Sequence, residues 1–266
     1  MAWLEQLPKA IREVAAKWSL SLGSPWSDDA SCAWVAPAVR KDGVHVVLKL
    51  GMPHMEAADE AVGLRFWNGN PTVRLLDADS TFDALLLERC EPGTSLRDRP
   101  EAEQDVVLAE LLHRLWRMPP EPHPFRPLSV MIASWMKETL SARSNWRDPS
   151  MVRAGLRVFE DLAEPSSRDV LLATDLHAGN VLRAQRETWL VIDPKPFVGD
   201  RAYDATQHLF NCKARMSEAP RATIRRFANL LDVDEDRVRK WMFARVAAEP
   251  RESWTDDSLA LARALK

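Results

Sequence analysis

The sequence predicts an α+β chain of two lobes: a small, mostly antiparallel sheet carrying one helix, then a larger and mainly helical part. Three observations carry this. Short apolar runs turned at Lys41-Asp42-Gly43 give a hairpin early in the chain. Helical periodicity takes over after Glu91-Pro92-Gly93, where Leu108, Leu111, Leu112 and Leu115 form an i, i+3, i+4, i+7 stripe. Later, Leu171-Leu172 and Val181-Leu182 flank a polar loop, and Trp189-Leu190-Val191-Ile192 runs into Asp193 as a buried strand would.

In chain order, residues 8–20 read as an amphipathic helix with Ile11, Val14, Ala15 and Trp18 at helical spacing. Residues 31–38 and 44–50 are the strands of the hairpin. Residues 56–67 read as a helix that Asn68-Gly69-Asn70-Pro71 stops, and 72–76 and 82–88 as two more strands. Glu91-Pro92-Gly93 divides an N-terminal lobe, 1–90, expected to bind nucleotide, from a helical C-terminal lobe, 91–266. Beyond the proline-rich break at Pro119-Pro120, helices are expected near 128–144, 149–163, 201–212, 219–231, 235–247 and 256–265. No internal repeat or low-complexity tract interrupts this order.

Composition narrows the function. A chain of 266 residues can bury a substantial core. A net charge of −3 and a pI near 6.1 argue against a general nucleic-acid binder, which would show a basic face. Cys32, Cys90 and Cys212 are widely spaced without a C-x-x-C pair, so they are expected to be buried thiols of a reducing cytoplasm. Charges interrupt the N-terminal apolar residues, as they would not in a signal peptide. No apolar run approaches the ~20 residues needed to span a bilayer. The expectation is a cytoplasmic protein, monomeric or weakly dimeric, acting on neither membrane nor nucleic acid.

The polar loop carries the chemistry. Thr174-Asp175-Leu176-His177-Ala178-Gly179-Asn180 sets a carboxylate ahead of a carboxamide, and Asp193-Pro194-Lys195 brings a second carboxylate at the end of the next apolar run. Phosphoryl transfer needs that spacing: one Asp to accept the proton of an acceptor hydroxyl, an Asn and a second Asp to hold Mg²⁺ on the nucleotide phosphates. Asp175 is thus the candidate base, and Asn180 and Asp193 the candidate metal ligands, hard oxygens that suit magnesium. Alternation in His45-Val46-Val47-Leu48-Lys49 sets Lys49 on the face opposite Val46 and Leu48, where its ammonium can reach nucleotide phosphates. Its helix partner is Glu60 or Glu56, four apart and so on one face.

These segments resemble the aminoglycoside phosphotransferase family, and within it the streptomycin 6-kinase and hydroxyurea phosphotransferase branch. The resemblance rests on L-L-x-x-D-L-H-A-G-N-V-L and W-L-V-I-D-P-K-P-F-V-G-D, with Val47-Leu48-Lys49, Pro53-His54-Met55-Glu56 and Leu85-Leu86-Leu87-Glu88-Arg89-Cys90 upstream. It implies a protein-kinase-like fold, ATP and Mg²⁺ as cofactors, and phosphorylation of a hydroxyl on a streptomycin-like aminoglycoside. The alternatives are kinase action on another small metabolite such as an amino sugar or hydroxyurea, or a nucleotide-binding pseudokinase. It also favours Glu60 over Glu56, and marks Glu88 and Cys90 as the hinge whose backbone reads adenine. His177 and Asp204 are expected to brace the catalytic loop. A cationic acceptor would call for carboxylates, with Asp200, Glu249, Glu252, Asp256 and Asp257 as candidates. One departure stands out: the family usually carries His-Gly before the catalytic Asp, and this chain has Ala173-Thr174, a β-branched residue where glycine is usual.

Overall fold

The computed structural model describes residues 2–26, 32–250 and 254–266. Ser31 and Glu252, named above, lie outside the described residues. The fold is α+β, with an antiparallel sheet in the N-terminal region and helices in the C-terminal region. Two compact units divide the chain: Met1–Ser95 with Val181–Pro194, and Leu96–Asn180 with Lys195–Lys266.

In the first unit, α1 (Ala2–Lys17) precedes β1 (Leu20–Leu22), β2 (Ala33–Arg40) and β3 (His45–Gly51). Then follow α2 (Glu60–Trp67), β4 (Leu75–Asp79) and β5 (Ala84–Glu88). The sheet order is β1-β2-β3-β5-β4, antiparallel throughout. The β2–β3 turn is the one Asp42-Gly43 signals, with Gly43 at φ 83°, a left-handed conformation glycine adopts without strain. Ala10 and Val14 of α1 pack on Leu48, Leu50 and Ala84, the face of β3 opposite Lys49's neighbour Val47.

Three boundaries differ from expectation. The first helix starts at Ala2 and tolerates Pro8, because packing on the sheet outweighs one missing backbone hydrogen bond. The expected 56–67 helix is a 3₁₀ turn, Met55–Ala57, followed by α2 from Glu60. Glu56 and Glu60 therefore do not share one helix face. The expected strand at 72–76 begins at Leu75, while Thr72 makes an isolated parallel bridge to Val191.

The hairpin of β7 (Val181–Arg183) and β8 (Trp189–Val191) joins the first unit, although it falls within 91–266. Its Leu190 is fully buried among Leu64, Val73, Leu85, Leu87 and Cys90, and that apolar contact decides where it packs.

The second unit holds α3 (Glu101–Leu115), α4 (Leu128–Ser141), α5 (Pro149–Leu162) and α6 (Arg201–Asn211). It continues through α7 (Lys213–Glu218), α8 (Pro220–Leu231), α9 (Glu235–Ala248) and α10 (Asp256–Leu265). A two-stranded pair, β6 (Val170–Leu172) with β9 (Phe197–Gly199), completes it. Phe159, Tyr203, Phe227 and Trp241 fill its core with almost no exposed area. Asp148, Asp200 and Asp234 cap α5, α6 and α9 by accepting from first-turn amides. Pairing of Leu172 with Phe197 brings the segment after β6 beside the segment before β9, which places the loop at 173–180 against Lys195.

Candidate active site

Within the first unit, strand alternation buries Lys49 on the interior of β3, and α2 begins with Glu60 facing it. Lys49 Nζ donates to Glu60 Oε1 at 2.8 Å and Oε2 at 2.6 Å, and to Asp193 Oδ1 at 2.5 Å. Burial alone would lower the ammonium's pKa, but the two carboxylates hold it above its ordinary value, so Lys49 is a permanent cation. The pairing falls to Glu60 rather than Glu56, as the turn at Met55–Ala57 separates the two. Asp193 follows β8 at φ 52° and keeps 40% of its side-chain surface exposed. Its Oδ2 has no partner among the described residues.

Glu88 and Cys90, the expected hinge, are distinct in environment. The Glu88 carboxylate takes Arg186 Nε at 2.8 Å and Nη2 at 2.9 Å, and its N–H donates to Arg74 O at 2.9 Å. That N–H is therefore engaged within the protein and is not open to a nucleotide. Cys90 lies past the end of β5, and neither its N–H nor its C=O has a partner among the described residues. Burial and nearby Glu88 push its thiol up to about 12, which makes it inert as a nucleophile. Cys32 is exposed, against the expectation of a buried thiol, because it sits just ahead of β2 rather than within the sheet.

Within the second unit, the Asp175 carboxylate has a partner on each oxygen. Gln207 Nε2 donates to Oδ1 at 2.8 Å, and Lys195 Nζ pairs with Oδ2 at 2.6 Å. Asn180 Nδ2 donates to the Asp175 carbonyl at 2.9 Å. Since a carbonyl can only accept, that bond fixes the amide orientation and leaves Asn180 Oδ1 without a partner among the described residues. His177 braces the turn: its Nδ1 accepts from Gly179 N at 3.0 Å and its carbonyl from Asn180 N at 2.9 Å. A Cβ at Gly179 would collide with Arg97 and with the His177 ring, so the loop requires glycine there.

Thr174, in the place where glycine is usual, takes φ 48°. For a β-branched residue this conformation is strained by roughly 1–2 kcal/mol. The strain is held by Asp204, whose carboxylate accepts from Ala173 N at 3.1 Å, Thr174 N at 2.8 Å and Trp116 Nε1 at 2.9 Å. Thr174 Oγ1 donates to Lys195 O at 2.6 Å as well. Burial pushes Asp204 up to about 6 against the pull of those three donors. Ala173 is fully buried, and Asp204, itself held by Trp116, supports the backbone at this point.

Among the acidic candidates for a cationic acceptor, several are already engaged. Asp200 caps α6 and accepts from Arg237 at 2.5 Å and Trp241 at 2.6 Å. Glu249 pairs with Arg245 at 2.8 Å, and exposed Asp256 with Arg147 at 2.8 Å. Sequence reasoning also passed over three residues. Lys195 follows Asp193-Pro194 and was legible in that motif. Gln207 lies one α6 turn beyond Asp204, on the same face. Arg245 carried no local signal.

A polar loop of this kind, a lysine–glutamate pair and a strand-ending aspartate on an α+β fold call for comparison with known proteins. The sequence profile of the aminoglycoside/hydroxyurea antibiotic resistance kinases matches residues 18–257. The chain belongs to that family. The streptomycin 6-kinase of Streptomyces glaucescens is 35% identical over 98% of this chain and 87% of its own length. The hydroxyurea phosphotransferase of Kitasatospora aureofaciens is 34% identical over 97% of this chain and 76% of its own. Two solved structures share the fold at low identity. The choline kinase LicA of Streptococcus pneumoniae superposes with a TM-score of 0.64 at 12% identity, covering 98% of this chain and 97% of that one. A choline kinase of Cryptosporidium parvum gives 0.63 at 12% identity, covering 97% and 94%. As a member of the family, the protein is a phosphotransferase with a hydroxyl acceptor. Among the described residues, no helix is long and apolar enough to cross a membrane.

Proposed function

We propose that this protein transfers the γ-phosphoryl group of ATP to a hydroxyl of a streptomycin-like aminoglycoside. Asp175 orients the acceptor hydroxyl and takes its proton. Lys49, kept charged by Glu60, contacts nucleotide phosphates, and the free backbone groups of Cys90 meet the adenine edge. Asn180 Oδ1 and Asp193 Oδ2, both without partners among the described residues, fit the hard-oxygen donor set of magnesium. When bound, the metal neutralises charge on the phosphates. Lys195 Nζ, paired with Asp175 Oδ2, anchors that carboxylate from its other side.

The observation that carries this reading is the Lys49–Glu60–Asp193 trio, a buried cation whose second carboxylate keeps one oxygen open. The streptomycin acceptor is supported by the 35% identical relative, and hydroxyurea, by the same argument from the 34% identical one, is the second acceptor to test. Incubation with γ-labelled ATP should label streptomycin, and chelation of magnesium should abolish the label. Mg-ATP at 100 times its Kd should stabilise the fold by about 2.7 kcal/mol, a shift that chelation largely removes. Nucleotide stabilisation indifferent to magnesium would exclude Asn180 and Asp193 as metal ligands.

A further inference from the structure

Asp175 is not held by its own loop alone; a chain of side chains on α6 and α9 reaches it. Arg245, 5% exposed, donates from Nη1 to Thr206 Oγ1 at 2.7 Å and pairs with Glu249 through Nε at 2.8 Å and Nη2 at 3.2 Å. Its guanidinium lies 4.7 Å from the ring centre of Phe210, 5.1 Å from Tyr203 and 5.5 Å from Trp135. Packed on those rings and bonded along its edges, it has one place to be. Its Nη2 also donates to Gln207 Oε1 at 3.1 Å.

That contact has a consequence for the base. A guanidinium can only donate, so the Gln207 atom facing it must be the carbonyl oxygen. The amide nitrogen of Gln207 must then face the other way, where it meets Asp175 Oδ1 at 2.8 Å. Asp175, which as a carboxylate can only accept, favours the same orientation, so Arg245 on one side and Asp175 on the other hold the amide in one setting. We propose that Gln207, set in orientation by Arg245, is a positioning residue that aims the Asp175 carboxylate at the acceptor hydroxyl. Gln207 acts through Asp175, the carboxylate to which its amide donates. The inference rests on Asp175 being the base.

A merely structural glutamine would affect stability and leave the chemical step alone, so the test separates the two. Steady-state transfer from ATP to streptomycin, or to hydroxyurea if that is the faster acceptor, is measured for the parent, Gln207→Met, Gln207→Glu, Asp175→Asn and the double variant Asp175→Asn with Gln207→Met. Gln207→Met keeps the size and removes the donor, and should lower kcat on the order of 10- to 100-fold with KM for ATP and acceptor little changed. Gln207→Glu still accepts from Arg245 but sets an acceptor against Asp175, and should be at least as impaired. In the Asp175→Asn background, Gln207→Met should cost no more than about 2-fold, since the group it aims has gone.

Full kcat in Gln207→Met or Gln207→Glu overturns the positioning role, as does an equal loss from Gln207→Met in both backgrounds. If one variant fails to fold by thermal melting, the other decides the outcome. Full activity in Asp175→Asn fails the underlying reading instead, a result distinct from intact Gln207 variants beside an impaired Asp175→Asn. Absence of transfer by the parent to either acceptor overturns both.

Discussion

Neighbouring residues on α6, Gln207 and His208, each serve an aspartate, and the two aspartates are in opposite situations. Gln207 reaches Asp175, whose side chain keeps 19% of its surface exposed and is held by one amide and one ammonium. His208 reaches Asp105 at 2.7 Å, and Asp105 is 1% exposed. Arg215 binds Asp105 through both Nη atoms at 2.8 and 2.9 Å, and Arg226 Nε adds a contact at 2.7 Å. Asp105, His208 and Cys212 gather their ligand atoms within 4.8 Å of one another, as a metal site would. The two guanidiniums already neutralise Asp105, and Arg215 also donates to Cys212 Sγ at 2.9 Å, so a further cation would be repelled. A carboxylate enclosed on every side by cations is a clamp between helices; one that keeps an open face is available to a substrate.

The sharpest way to break this contrast is to neutralise each aspartate in turn. Asp175→Asn should lower kcat by roughly 10²–10⁴-fold, the scale of a positioned base, while the melting temperature moves by no more than about 4 °C. A fully active variant would make Asp175 a turn residue like any other.

Asp105→Asn should do the reverse. Urea unfolding should show a loss of about 3 kcal/mol, the low end for breaking a buried pair, because Glu101 remains beside Arg215 and the Arg226 side chain is 49% exposed. The folded enzyme should keep its kcat. A matched loss of turnover would couple this cluster to the site and end the distinction.

The clamp should also show in pH dependence. Burial would raise the Asp105 carboxyl, but His208, Arg215 and Arg226 outweigh it and hold the group well below its ordinary 3.8. With the folded pKa depressed, the stabilisation is fully present above about pH 4 and is lost as pH falls from there. Asp105→Asn should therefore lose less stability than the parent over that acid interval, as measured by denaturant midpoints at stepped pH. Equal acid sensitivity would show that other carboxylates dominate.

The smallest effect is expected at Thr174. Replacement by glycine relieves a strain of roughly 1–2 kcal/mol, loses a hydrogen bond of about 1 and frees the unfolded chain by about 0.5–1, so stability should change by less than about 1 kcal/mol. Thr174→Ala keeps the strain and loses the bond, and should be the less stable of the two by thermal melting. The opposite order would mean that the backbone at this position carries no strain for glycine to relieve.

Local pattern made much of this legible. The hairpin at Asp42-Gly43, the Leu108–Leu115 stripe and the helices of the C-terminal part follow from period and turn chemistry, which act over a few residues. Lys49 came from strand alternation, and Asp175, Asn180 and Asp193 from their spacing. Other features were not available to such reading. Gln207 and Asp175 are 32 residues apart, and His208 and Asp105 103 apart; no periodicity links them. The first-unit packing of β7 and β8 depends on Leu190 finding Leu64 and Val73, a contact between distant segments.

The sequence by itself determined the fold class, the order of the elements and the candidate residues for phosphoryl transfer, because propensity, amphipathic period and motif spacing are short-range. The tertiary structure decided which bonds form: Lys49 pairs with Glu60, as the resemblance favoured, Glu88's amide is taken while Cys90's backbone is open, and Asp204 meets the amides of Ala173 and a strained Thr174. It also decided that Asp105 is closed while Asp175 is open. Those outcomes turn on burial and on which charges meet, and the cost of an unpaired buried charge is fixed only when distant segments pack together.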